Sequence, residues 1–445
     1  MTGGSANGSI ALSNYLRSIE PGSETPMPFI ALALKSLWNR KGVAALTIFA
    51  IAVSTALLIG VEKMRHEARA SFANTVSGVD LVVGARTGPL QLLLYSVFRI
   101  GAATNNISWR AYSTFAADPD VAWTIPLSLG DSHRGFRVLG TSNAYFDHLR
   151  TGAKRPLSFA AGGRFGDVYD AVLGAEVAAR LGYRLGEPIV ISHGLGAIAL
   201  AEHEDKPFKV AGILAKTGTP VDRTVHISLE GMEAIHIDWR AGQRAQGFNV
   251  SAEDARAMRR RPTAITAFMV GLNSRFATFT LQRKINEHRG EPLLAILPGV
   301  ALQELWDLMG TAEAALAAIA GAVAAGGLLS MTIMLLAGLA ARRREMAILR
   351  SVGARPAHIF GLLVAEAGAL ALAGATLGLG LLYLAFWIAQ PVIEARFGLY
   401  LALTSPTAWE MQLFAMVIAA GVLAGILPAW LAVRRSLADG MIVRD

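Results

Sequence analysis

The sequence predicts an α-helical membrane protein with four transmembrane helices plus a mixed α/β extracytoplasmic domain inserted between the first and second helices. Three observations predict it. Four apolar runs are long enough to cross a hydrocarbon core about 30 Å thick, which takes about 20 helical residues. Basic residues gather at alternate ends of those runs. Between the first and second run lies a long segment of short β-branched stretches broken by glycine and proline.

Composition agrees. The chain has 445 residues, of which 53% are hydrophobic and only 17% charged, and its mean hydropathy is +0.43. That is too apolar for a soluble protein. The formal net charge of +8 would raise nucleic acid as a partner in a soluble chain. Here the basic residues flank the apolar runs, so membrane orientation accounts for them and no nucleic acid is implied. The chain has no cysteine, which excludes disulfides, thiolate metal sites and thiol catalysis.

Residues 1–41 form an N-terminal segment. Its first part is rich in Ser, Gly, Asn and Pro and lacks the apolar core of a cleavable signal. MPFIALALKSLWNRKG follows as a short amphipathic stretch suited to the membrane interface. The spans fall at 42–61, 311–341, 359–389 and 411–433. Their apolar runs, 42–61, 314–341, 359–389 and 413–433, lack Lys and Arg, and only the third holds a carboxylate, Glu366. Lys35, Arg40 and Lys41 precede the first span. Arg342, Arg343, Arg344, Arg350 and Arg355 lie in the 342–358 loop, and Arg434 and Arg435 follow the fourth span. Cytoplasmic loops carry the excess of Lys and Arg, so the termini (1–41 and 434–445) and the 342–358 loop are assigned to the cytoplasm. Residues 62–310 and a short loop at 390–410 then lie outside.

Within 62–310, VEKMRHEARASFANTVSG extends the first span in helix-forming residues, predicting a stalk. VDLVVGA, AWTIPLSLG, FRVLGTS, EPIVISHG, FKVAGILA, TVHISL, AITAFMVGL and LLAILPG read as strands. PLQLLLYSVFRIG is too short to span and reads as a buried or amphipathic helix. ALQELWDLMGTAEAAL leads as helix into the second span.

Catalytic signatures are absent. There is no G-x-x-x-x-G-K-[ST] for nucleotide phosphates, no H-E-x-x-H and no G-x-S-x-G. The nine histidines are scattered. Glu202, His203, Glu204 and Asp205 form the densest acidic-histidine cluster, but adjacent residues of a strand face opposite ways. This stretch reads as a solvated loop between two strands, and Asp131 with His133 as the mark of a hairpin turn. No metal site, cofactor or catalytic residue is assigned. Glu366 faces the bundle interior or lies near an interface, where it hydrogen-bonds a neighbouring helix. A proton path through it is the competing reading. Gly374 with Gly378 and Gly421 with Gly425 form G-x-x-x-G pairs that allow close helix packing, either between subunits or within one.

The stretch RRREMAILRSVGA, with the helix after it, resembles the FtsX-like permease family of ABC transporters, the branch that includes MacB, LolC and LolE. The matching residues are Arg343, Arg344, Glu345, Met346, Leu349, Arg350, Gly353 and Ala354, then Glu366–Ala367, and Pro428, Ala429, Ala432 and Arg434 near the end. AVLGAEVAARLGYRLGEPIVI and FKVAGILAKTGTPVDRTVHISL resemble the family's periplasmic domain. The resemblance implies a non-catalytic permease subunit in the bacterial inner membrane. Residues 342–358 would form a coupling helix docking a separate cytoplasmic ABC ATPase, which carries the ATP and Mg. It implies a homodimer or a pairing with a related permease, and admits a periplasmic adaptor or substrate-carrier protein. The work done would be efflux or the handling of lipoproteins or other envelope substrates. A proton-coupled secondary transporter and a membrane-anchored sensor are the alternatives.

Overall fold

A computed structural model describes residues 41–439 except 76, 153, 195–200, 241–242, 245–249, 259–261, 342–345, 347–349, 352 and 398–404. The amphipathic stretch before the first span and the last residues of the tail lie outside the described residues. Four described helices are long and apolar enough to cross a membrane. They are α1 (Lys41–Thr75), α5 (Pro298–Ala341), α6 (Pro356–Phe397) and α7 (Ala408–Asp439). Three shorter helices used below are α2 (Pro89–Ser96), α3 (Ala175–Leu181) and α4 (Leu229–His236). The chain divides into two compact units, one holding Lys63–Leu316 with Ala385–Thr404 and the other the remainder.

The helix limits follow local chemistry. Pro298 begins α5, a position where the missing N–H costs nothing. Thr407 and Glu410 reciprocate at the start of α7. The Glu410 N–H donates to Thr407 Oγ1 (3.2 Å) and the Thr407 N–H to Glu410 Oε2 (3.3 Å), a capping box. α6 continues through Phe397, so 390–397 is helix where hydropathy assigned a loop. Loss of apolar character ends a span, but VIEARF still favours helix.

In the helical unit, Ile51, Met331, Leu335, Ala367, Leu370 and Ala375 are buried together. Leu46, Leu329 and Leu423 face outward, as a lipid-facing surface requires. Ser54 donates to the carbonyl of Val323 at 3.1 Å, a polar tie between α1 and α5.

The α/β unit is built on one large sheet. Its main strands are β1 (Leu81–Ala85), β2 (Val121–His133), β3 (Phe136–Thr141), β4 (Phe159–Gly162), β5 (Asp170–Leu173), β6 (Phe208–Leu214), β7 (Thr224–Ser228), β8 (Ala267–Leu272) and β9 (Leu293–Ile296). Their order is β9-β1-β8-β2-β3-β7-β5-β6-β4. β3 with β7 and β5 with β6 are parallel; the other neighbours are antiparallel. The sheet is therefore mixed, and all eight stretches read as strands contribute to strands. β1 and β7 are buried at every residue. α2 turns Leu92, Leu93 and Tyr95 into the core, as its length and pattern predict. α3 stops at Gly182, whose φ of 73° is the left-handed cap that glycine adopts freely.

The ends of α1 and α5 within this unit pack on its core, where Phe72, Leu305 and Trp306 lie against the cluster of Leu92, Leu93, Phe98 and Leu302. Phe72 meets Phe98 at 4.6 Å between ring centroids and Trp306 edge-on at 5.5 Å. Arg69 lies over the Trp306 ring and bonds Glu313 at 2.7 Å. Aromatic packing fixes this clamp, and the partly exposed ion pair adds little by itself.

Candidate functional site

Three groups of residues carry functional interest. The first is the connection between α5 and α6. Arg343, Arg344, Glu345 and Leu349 lie outside the described residues. Met346 is half-buried against Leu339, Ile359, Leu363, Ala429 and Ala432 of the chain's own helices. Gly353 has φ 99° and donates its N–H to the carbonyl of Arg350 at 3.0 Å, fitting a helix terminator.

The second group lies inside the helical unit. Glu366 is buried, beside Ala367. Both glycine pairs are used within the subunit. A Cβ on Gly374 would lie 2.6 Å from Ile51 Cβ, and one on Gly378 2.5 Å from the Ala52 carbonyl oxygen. On α7, a Cβ at Gly421 or Gly425 would lie 2.4 Å from Ala371 or Ala367. The glycines let α6 approach α1 and let α7 approach α6 within the subunit. Glu366→Gln is expected to keep function and shift stability by no more than about 1 kcal/mol, since the amide keeps shape and hydrogen bonding. Activity lost together with its dependence on a proton gradient would install the proton-path reading instead.

The third group was not legible from the sequence. A bulge between Leu129 and Ser132 displaces the end of β2 and sets Asp131 against the short strand Ser192–His193. His193 donates from Nδ1 to Asp131 Oδ1 at 2.9 Å. His203 follows the strand Ala201–Glu202, paired to Ser192–His193, and its N–H donates to the Ile191 carbonyl at 2.9 Å. His236 ends α4, with Nδ1 2.7 Å from the Met232 carbonyl and Nε2 3.5 Å from Asp131 Oδ2. Ring nitrogens of His193, His203 and His236 all lie within 4.8 Å of one another. Trp239 packs edge-on against His193 and His203.

One expectation is corrected here and another holds. His203 is fully buried, not part of a solvated loop, while Glu204 and Asp205 are exposed. Asp131 and His133 do precede the β2–β3 turn, but both are buried; His133 hydrogen-bonds Val190 and Tyr183. Lys206 lies fully buried between Asp205 (2.9 Å) and Asp238 (2.8 Å), which ties the segment after His203 to the segment after His236.

The electrostatics follow from burial and Asp131. Burial, reinforced by the nearby His236 and His193, pulls the His203 imidazole down to about 4. Burial pushes the Asp131 carboxyl upward, but His193 and His236 outweigh it and hold the group well below the usual carboxylate range. Burial opposes protonation of His236, yet Asp131 and the Met232 carbonyl raise its pKa overall. His193 Nε2 and both His203 ring nitrogens are buried without a hydrogen-bond partner. Such groups cost about 1–3 kcal/mol each when left unsatisfied.

The MacB-like periplasmic core domain family matches residues 44–268, and the FtsX-like permease C-terminal family matches residues 317–437. The chain belongs to the MacB-like, FtsX-like permease family. By that membership it is a multi-pass ABC-transporter permease with a MacB-like domain between its first and second membrane helices. Among solved structures it is similar to the periplasmic region of MacB from Actinobacillus actinomycetemcomitans, at 12% identity and TM-score 0.32, over 53% of this chain and 97% of that one. It is also similar to the extracellular domain of the noncanonic ABC-type transporter YknZ from Gram-positive bacteria, at 12% identity and TM-score 0.29, over 49% of this chain and 98% of that one. No curated protein matches the chain.

Proposed function

We propose that this permease converts ATP hydrolysis by a separate cytoplasmic ATPase subunit into movement of its MacB-like domain, serving efflux or the handling of lipoproteins or other envelope substrates. The chain is not the catalyst in this reading; ATP and Mg reside on the partner. It works as a pair of permeases in the bacterial inner membrane, with both termini and the 342–358 loop in the cytoplasm, following the positive-inside rule. The observation that carries the reading is the continuity of α1 and α5. Each begins or ends in the α/β unit and has an apolar stretch of membrane-spanning length. A long helix transmits displacement along its axis, and the Phe72–Trp306 and Arg69–Glu313 clamp would deliver it to the domain.

The test exploits the lack of cysteine. A single spin label at Arg289→Cys, on the exposed surface of the α/β unit, reports without background. With the ATPase bound, nucleotide should change the label-to-label distance across the pair. The double variant Trp306→Ala/Glu313→Ala should retain ATP hydrolysis and lose most of that change. A full response from the unclamped variant would reject force transmission through the clamp. No response in the parent complex would reject the coupling itself.

A further inference from the structure

We propose that His193, His203 and His236 form a binding site for a divalent transition-metal ion of the zinc class in the MacB-like domain, with Asp131 orienting His193.

The donor set is the first argument. Three neutral imidazoles suit zinc and its first-row neighbours, and no thiolate exists in this chain to select a softer ion. The three ring nitrogens lie within 4.8 Å of one another. A tetrahedral site with bonds of about 2.0–2.1 Å places its nitrogens about 3.3–3.4 Å apart, so modest side-chain rotation closes the site.

Hydrogen bonding fixes which nitrogens are free. The Asp131 carboxylate can only accept, so His193 must carry its proton on Nδ1 and expose a lone pair on Nε2. The Met232 carbonyl likewise claims a proton on His236 Nδ1, and His236 Nε2, 3.5 Å from Asp131 Oδ2, turns from that contact to the ion when it ligates. Neither nitrogen of His203 has a partner, although the side chain is fully buried. Aromatic packing around Trp239 would account for the rings but not for these bare nitrogens. A metal ion takes one lone pair from each of the three residues at once, including one of the two bare nitrogens of His203. A carboxylate behind a ligating histidine is also the usual second layer of such sites. Three protein ligands leave a fourth position for water or an incoming group.

The scaffold holds the ligands in place. They come from a strand paired to the β2 bulge, the end of a hairpin and the C-terminus of α4, and the buried Lys206–Asp238 pair ties the last two together.

The full chain, purified in detergent and freed of its affinity tag, is stripped with chelator, dialysed and titrated with Zn²⁺ and with Co²⁺. One equivalent per chain should bind, with the intense ligand-field spectrum of four-coordinate Co²⁺. X-ray absorption at the zinc edge should show three imidazole scatterers. Asp131→Asn should weaken binding about 10–100-fold, as second-shell changes do. His193→Gln and His203→Gln should weaken it further, with unchanged far-ultraviolet circular dichroism. Absence of stoichiometric binding in the wild-type chain would overturn the proposal, as would a bound ion lacking imidazole scatterers or equal affinity in folded His193→Gln. The outcome is independent of ATPase coupling, so its failure leaves the proposed function untouched.

Discussion

Leu349→Asp is expected to abolish co-purification of the permease with its ATPase, or to leave a complex whose hydrolysis no longer drives function. REMAILRSVGA is a charged, amphipathic segment, and an apolar helix face in a hydrophobic groove is a recurring mode of recognition. Truncating a central apolar anchor in such a groove costs on the order of 2 kcal/mol, about 30-fold in affinity. A buried aspartate costs more, because the charge loses its hydration. Glu345 and Arg350 would lie at the rim, where charge acts more on association rate than on residence. Met346→Ala should behave differently. Its side chain packs on Leu339, Ile359 and Leu363, so the main effect is lower thermal stability with recruitment largely kept. Pull-down of the two subunits, with permease level as control, separates the cases. Wild-type recruitment and function in Leu349→Asp would reduce the loop to a basic tether.

Gly378→Ala should destabilise the helical unit by about 2–3 kcal/mol, whereas Gly380→Ala should be neutral or stabilising by up to about 1 kcal/mol. The two positions share α6 and differ only in what a methyl group would meet. At Gly378 it would lie 2.5 Å from a backbone oxygen of α1 and 2.8 Å from Thr55 Cβ; at Gly380 it meets nothing within 4 Å. Backbone cannot rotate away as a side chain can, so the helices must separate and forfeit contacts along the seam. Thermal unfolding in detergent, with equal expression, measures the difference. Equal stability of both variants would mean that α6 does not rest on α1 at Gly378.

The membrane helices and the sheet strands were legible because each rests on a local signal. A span needs only a run of apolar residues, and a buried strand such as TVHISL declares itself by composition. The end of α6 was less legible. Hydropathy marks where lipid stops, while helix persists to Phe397 for as long as the backbone prefers it. The role of the glycine pairs was legible only as a property. G-x-x-x-G states that a helix can come close, and the position of α1 decides what comes close to Gly374 and Gly378.

The sequence by itself determined four spans, the inserted α/β domain and, through residues 342–380 and their resemblance, the permease family. These properties are written in short windows, where solvent preference and backbone propensity act residue by residue. The tertiary structure alone decided the histidine cluster. His193, His203 and His236 follow no ligand spacing, and no window contains them together. A strand pairing, a bulge at Asp131 and the end of α4 bring them within reach of one another. Convergence of that kind depends on sheet order and register, which are set by the burial of the whole domain.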